Sequence, residues 1–315
     1  MSHHIPTYSV VIPVYRSQST LIALSKRLVS VMRSTNKSFE IIFVDDASPD
    51  NSWKILLNLY KNYKDICLIQ LTRNFGQHNA IMCGIARSKG DYIITMDDDL
   101  QNPPEDILKL INKIKQGFDI VYGEYKIKKH SFLRNLGSHF VQYVYKRIFQ
   151  VSGNLTSFRI IRRNTAKKIL DYKLNYTFID GLLAWQTKNI GYVFVSHQKR
   201  ASGKSNYDIG KLFALTYNMI TNFSIFPLQL ASFTGFLFSF LGGLLAIFYA
   251  LKKIFFDIPV TGYTSIMIAI LIFSGVQLIT IGLIGEYIGR IHLNMNQKPQ
   301  YSIRSIKDRK YDSVS

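Results

Sequence analysis

At 315 residues the chain is long enough to bury one large core or two smaller ones. Apolar residues make up 47% of it, but they are placed unevenly: the first two thirds mix them with charge, whereas the stretch after Pro227 is nearly pure hydrocarbon, which excludes a single soluble body. The net charge of +19, from 39 Lys and Arg against 20 Asp and Glu, calls for an anionic partner such as nucleic acid, phospholipid headgroups or phosphate-bearing substrates.

The opening residues, MSHHIPTYSVVIPVY, lack an apolar segment of signal-peptide length, so the N-terminal part is expected to remain in the cytoplasm. Ser9 to Tyr15 reads as a β-branched strand, and Thr20 to Met32 as a helix. EIIFVDDAS (Glu40 to Ser48) is a second strand ending on Asp45 and Asp46, followed by an amphipathic helix from Asp50 to Tyr63. CLIQL is a third strand, Gly76 to Ala86 a helix, Asp91 to Leu100 a fourth strand, Pro104 to Gln116 a helix and DIVYGEY a fifth strand. Strands alternating with helices imply right-handed βαβ units around a mostly parallel sheet, with ligands off the carboxyl ends of the strands. Asp45, Asp46, Asp97, Asp98 and Asp99 all fall at such ends. Cys67 and Cys83 sit in apolar runs without metal-ligand spacing and read as reduced core residues.

From Lys126 to Leu170 the pattern predicts basic helices, either a solvated face or a surface for anions and lipid heads. Asp208 to Pro227 is amphipathic and aromatic-rich and is placed in the membrane interface. Two uncharged apolar runs follow, 228–251 and 264–285, each above the roughly 20 residues that cross a bilayer core. The link 252–263 is short, and the tail 286–315 carries an excess of Lys and Arg. That asymmetry predicts an inner-membrane protein with the catalytic part and both termini in the cytoplasm and the link outside.

MDDDLQNPPE is the sharpest chemical signal. Three consecutive aspartates repel one another unless a cation neutralises them, and a Mg²⁺ or Mn²⁺ held by one or two carboxylates and completed by substrate phosphates is the arrangement this predicts. On a regular strand Asp97 and Asp99 would share a face and Asp98 would oppose them; helix capping ahead of Pro103 and Pro104 is the competing use. The histidines lack mutual spacing for a metal or a triad, and Trp53 and Trp185 read as packing residues.

SVVIPVY, FVDDASPD, TRNFGQHNAIMCGI, MDDDLQNPPE, DIVYGEY and SFRIIRR, in this order, resemble glycosyltransferase family 2 enzymes of GT-A fold, and more narrowly the polyprenyl- or dolichyl-phosphate sugar synthases that end in two transmembrane helices. The resemblance runs from about Ser9 to Gly285. It implies a GT-A-type α/β domain (1–207), an interfacial helix (208–227) and a transmembrane hairpin, with an inverting transfer from a nucleotide-sugar to a polyprenyl phosphate. By the same resemblance, Pro13, Tyr15, Val44 and Asp46 line the base and ribose, Asp98 contacts the nucleotide through its backbone, and Gln101 sits near the sugar. Asp97 and Asp99 form the metal-binding pair, with Mg²⁺ or Mn²⁺ as cofactor. Arg200 and Lys204, in RASGKSNY, grip phosphates, with Arg159 and Asp180 on the acceptor side.

The sequence departs from the family pattern in three places: Ser17 where a Glu is common, Asn154 and Ser157 where a carboxylate precedes FR, and Asn206 where a Lys is usual. The missing carboxylate modestly favours a phosphate acceptor, which arrives as a mostly deprotonated nucleophile because its second pKa is about 6. The competing readings are transfer to a glycan hydroxyl and an inactive membrane scaffold. Nucleic acid is set aside because no groove-reading pattern accompanies the charge, and the oligomeric state, a homo-oligomer included, stays open.

Overall fold

The computed structural model describes residues 6–125, 153–172, 177–196, 198, 221, 224–255, 262–296 and 298–309. The chain divides into two units, Met1–Asn206 with Gln297–Ser315, and Tyr207–Asn296. The expected basic helices between 126 and 152, most of the interfacial segment 208–227, the link, and Arg200 and Lys204 lie outside the described residues.

The first unit is built on an eight-stranded sheet of order β7-β5-β6-β4-β1-β2-β3-β8. Its strands are β1 (Tyr8–Val14), β2 (Phe39–Asp45), β3 (Ile66–Leu71), β4 (Tyr92–Thr95), β5 (Ile120–Tyr125), β6 (Arg159–Arg162), β7 (Ile190–Val195) and β8 (Ile303–Lys307). Helices α1 (Leu21–Ser34), α2 (Ser52–Asn62), α3 (Gln77–Arg87), α4 (Ile107–Ile114), α5 (Arg163–Lys168) and α6 (Ile179–Gln186) connect and cover it. The central strands are buried on both faces, which is why β1 reads as an unbroken apolar run. Leu21, Leu24, Leu28, Val31 and Met32 of α1 are buried at helical spacing, and Ile107, Leu110, Ile111 and Ile114 do the same for α4. Each such side chain contributes about 1.5–3 kcal/mol by leaving water. Gly84 lets α3 sit close on the sheet: a Cβ there would lie 2.3 Å from Val11 Cγ1.

β1 pairs in parallel with β2 and with β4, and β2 with β3, as the alternation predicts, and β5 pairs in parallel with β7, a strand that the sequence reading did not place. The antiparallel pairings come from two strands that the sequence reading did not place. β6 runs antiparallel to both β4 and β5 and replaces the helix expected over this part of the basic segment, because Ile160 and Ile161 are wholly buried. β8, in the presumed tail, adds antiparallel to β3 and closes that edge of the sheet. With β1 flanked by β2 on one side and β4 on the other, the chain reverses its winding direction at β1, and the crevice for a ligand opens between the carboxyl ends of β1 and β4.

The second unit contains α7 (Phe226–Phe255) and α8 (Tyr263–Met295), longer than the expected spans. Each contains a segment long and apolar enough to cross a membrane, Phe226–Leu245 and Ile272–Met295, and both are 0% buried. Large side chains such as Phe233, Phe236, Leu278 and Ile279 stand exposed. That exposure excludes the alternative of two helices buried in a soluble core and marks a membrane protein.

Candidate active site

β4 stops at Thr95, so Asp97, Asp98 and Asp99 lie in the loop beyond it, with Leu100 at φ 61° in the left-handed region. The strict two-sided alternation expected of a strand therefore does not apply. All three aspartates, with Asp46, Pro13 and Tyr15, line one cleft of about 260 Å³ at the crevice between β1 and β4. The cleft also takes in Asn74, Gly76 and Gln77, and among the described residues no basic side chain lines it.

Each carboxylate has a distinct environment. Asp97 is clamped on both oxygens: Gln77 Nε2 donates to Oδ1 at 2.6 Å, and Ser157 Oγ donates to Oδ2 at 2.6 Å. Asp98 turns toward the end of β1, where the Ser17 hydroxyl and the Tyr15 backbone N–H (3.3 Å) donate to it. Burial pushes its carboxyl up to about 7, the Ser17 hydrogen bond opposing and the neighbouring Asp97 adding to the rise. Asp99 Oδ1 accepts the backbone N–H of Gln101 at 3.1 Å. Asp46 accepts the N–H groups of Phe75 (2.7 Å) and Gly76 (2.8 Å), which fixes the loop before α3; Gly76 allows that turn with φ 90°.

Ser17 and Ser157, both departures from the family pattern, are thus partners of Asp98 and Asp97. Gln77 was invisible as a functional residue in the sequence, although it lies in the quoted TRNFGQHNA segment. Nothing local marks such partners, because they meet the aspartates across 20 to 81 positions of chain. A carboxylate does stand near Asn154: Glu124 Oε1 accepts the Asn154 N–H at 2.6 Å.

Several expectations are corrected. Val44 is fully buried, its Cγ2 only 3.3 Å from where a Cβ on Gly84 would stand, so it packs under α3 instead of lining the cleft. Asp45 is also wholly buried and accepts from Ser48 N (3.3 Å) and Gln70 Nε2 (3.4 Å). Gln101 is not among the cleft's lining residues; its carbonyl accepts the Gln198 N–H at 2.9 Å. Arg159 and Asp180 come together, but as an ion pair closed on itself: Arg159 is 1% exposed and its guanidinium lies 5.8 Å from the Tyr122 ring centroid. Its cation is spent on Asp180, which removes it from the phosphate-gripping set. His78 borders this pair, edge-on to Phe178 at 5.4 Å, with its Nδ1 buried and unpartnered.

The cleft's chemistry suits a divalent cation. Four carboxylates, Asp46, Asp97, Asp98 and Asp99, converge on the cleft, the hard oxygen donors that a divalent cation takes. Among the described residues no group of three or more His, Cys, Asp or Glu is placed to hold a metal ion by itself.

Compared with known proteins, residues 9–174 match the Glycosyl transferase family 2 profile. An undecaprenyl-phosphate 4-deoxy-4-formamido-L-arabinose transferase of Shewanella sediminis is 33% identical over 310 residues, covering 97% of this chain and 94% of its own. The chain belongs to glycosyl transferase family 2. This family 2 glycosyltransferase is equally similar to the uncharacterized glycosyltransferase YkcC of Bacillus subtilis, 33% identical over 307 residues, with 96% and 95% of the two chains covered. Among solved structures, glucosyl-3-phosphoglycerate synthase from Mycobacterium tuberculosis aligns with a TM-score of 0.49 and 16% identity over 69% of this chain and 78% of that one.

Proposed function

We propose that this glycosyltransferase moves a sugar, with inversion, from a nucleotide-sugar in the β1/β4 cleft to the phosphate of an undecaprenyl-type carrier. The observation that carries the reading is the joining, in one chain, of a four-carboxylate cleft at the sheet's switch point to two exposed apolar helices. The near-full-length similarity to undecaprenyl-phosphate transferases supports the acceptor class.

Pro13 and Tyr15 lie at the end of β1 beside the cleft and are assigned to the nucleotide; Tyr15 is 42% exposed, with the Arg16 guanidinium 5.3 Å from its ring centroid. Asp97 and Asp99 would hold Mg²⁺ or Mn²⁺, which when bound neutralises charge on the departing diphosphate. Ser157 and Gln77 fix the aim of Asp97 before substrate arrives, so little reorganisation is left for the reaction. The acceptor needs no protein base, because a phosphate monoester is already an anion at neutral pH. Arg200 and Lys204 are proposed to shield that anion as it approaches.

The membrane arrangement is part of the proposal: catalytic unit and both termini in the cytoplasm, a hairpin through the inner membrane, and the link 252–263 outside. To test the function, membranes holding the protein are incubated with undecaprenyl phosphate and each of several radiolabelled nucleotide-sugars. One donor should place label in the solvent-extractable lipid; no label from any donor would refute the reading.

A further inference from the structure

A second cavity, of about 200 Å³, adjoins the catalytic cleft and shares Asn74 with it. Its electrostatics are the reverse. Arg73 and Lys298 line it with Asn79 and Gln300, and among the described residues no carboxylate lines it.

The fold brings these two cations together deliberately. Thr72 N donates to Ser302 O at 2.9 Å and Arg304 donates to Thr72 O at 3.1 Å, so the β3/β8 pairing carries the residues just before Arg73 alongside those just after Gln300. Gln300 Nε2 donates to Tyr172 O at 2.9 Å and anchors the same turn. The Arg73 guanidinium lies over the Phe75 ring, 4.6 Å from its centroid, which holds it in place before any ligand binds. Asn79 is also fixed, with Nδ2 donating to Phe75 O at 2.9 Å, while its Oδ1 is buried without a hydrogen-bond partner. Both rims of the loop Asn74–Phe75–Gly76 are therefore in use: its N–H groups face Asp46 on the catalytic side, and its other side walls the basic cavity.

Two cations opposite a four-carboxylate cleft are matched to a dianion. A phosphate monoester carries nearly that charge at neutral pH, its second pKa being about 6, and a phosphodiester headgroup carries half as much. Lys298 is the third residue in sequence after Met295, the last residue of α8. We infer that this basic cavity, walled by Arg73 and Lys298, is a docking site for the phosphate monoester of the lipid acceptor. The inference rests on the acceptor class proposed above and adds to it a locus and two residues outside RASGKSNY.

The test uses the purified full-length protein in detergent. Retention of undecaprenyl phosphate, of undecaprenol and of phosphatidylglycerol is measured by native mass spectrometry, alongside carrier KM and kcat, for wild type, Arg73→Gln and Lys298→Gln. Both positions are exposed, so the variants should unfold at the wild-type temperature. Each should weaken undecaprenyl-phosphate retention and raise its KM about tenfold, the worth of one charge-assisted hydrogen bond, with kcat and donor KM little changed. Asn79→Asp, which adds a negative charge to the cavity, should do at least as much. Wild-type carrier retention and KM in all three variants would overturn the docking site while leaving the transferase reading intact. Loss of phosphatidylglycerol retention with carrier retention preserved would assign the cations to lipid headgroups and overturn it too. Failure of the wild type itself to retain or glycosylate undecaprenyl phosphate would instead refute the acceptor class on which the inference stands.

Discussion

The aim of Asp97 is where the structure makes its most specific demand. Gln77 Nε2 donates to its Oδ1 and Ser157 Oγ to its Oδ2, both at 2.6 Å. Hydrogen bonds to a charged group are worth about 1.5–3 kcal/mol when sheltered and less when water can replace them. Ser157 is partly buried and Gln77 is exposed, so Ser157→Ala should cost about 2 kcal/mol, a roughly thirtyfold fall in kcat/KM, and Gln77→Ala about 1 kcal/mol, roughly fivefold. Because both act through one carboxylate, the loss should appear mainly as a weaker response to Mg²⁺ or Mn²⁺, with Ser157→Ala falling in the roughly 10–100-fold range typical of groups that orient a metal ligand. The double variant should lose less than the product of the two, since a carboxylate that is already free to rotate has little aim left to lose. Transfer rates are measured over a metal titration with saturating donor. A metal response identical to wild type in Ser157→Ala, with the protein folded, would refute the reasoning.

Asp99→Asn should lower turnover about a hundredfold or more and chelation should do the same to the wild type, both read in the transfer assay; full activity in chelator would remove the metal from the account. Asp180→Ala leaves the fully buried Arg159 uncompensated and should destabilise the catalytic unit by about 3–5 kcal/mol in urea unfolding, whereas Asp180→Ala combined with Arg159→Met should recover much of it. Burial lowers the His78 imidazole below its ordinary value of 6.5, so the unfolded chain takes up this proton first, and stability should decline as pH falls below that value. His78→Phe should flatten that part of the pH–stability curve, and an unchanged slope would contradict the buried neutral imidazole.

The sheet's centre was legible because β1 to β5 announce themselves as apolar runs ending in turn chemistry, with amphipathic helices between them. Strands β6, β7 and β8 were not. β6 hides among arginines, RIIRR, and its strand state follows from pairing with β4 and β5 at distant positions. β8 follows a membrane helix and looks like a charged tail; only its register with β3 makes it a strand. In the site, the DDD run and Asp46 were readable as carboxylates at strand ends, and Pro13 and Tyr15 line the same cleft. Val44 misled because alternation along a strand puts neighbouring residues on opposite faces, and β2 turns Val44 toward α3. The Arg159–Asp180 pair misled because charge in sequence does not reveal burial: the same guanidinium that would grip a phosphate at the surface is consumed by a carboxylate 21 positions away.

The central claim is that the nucleophile is a lipid phosphate, and the most direct measurement supplies undecaprenyl phosphate and undecaprenol side by side with the same nucleotide-sugar and metal ion. Only the phosphate should be glycosylated, because the alcohol brings no charge for a basic surface to hold and needs a base to give up its proton. Its rate should fall as pH drops through about 6, where the monoester takes up a proton. Comparable transfer to the free alcohol would contradict the account and assign this chain to hydroxyl glycosylation.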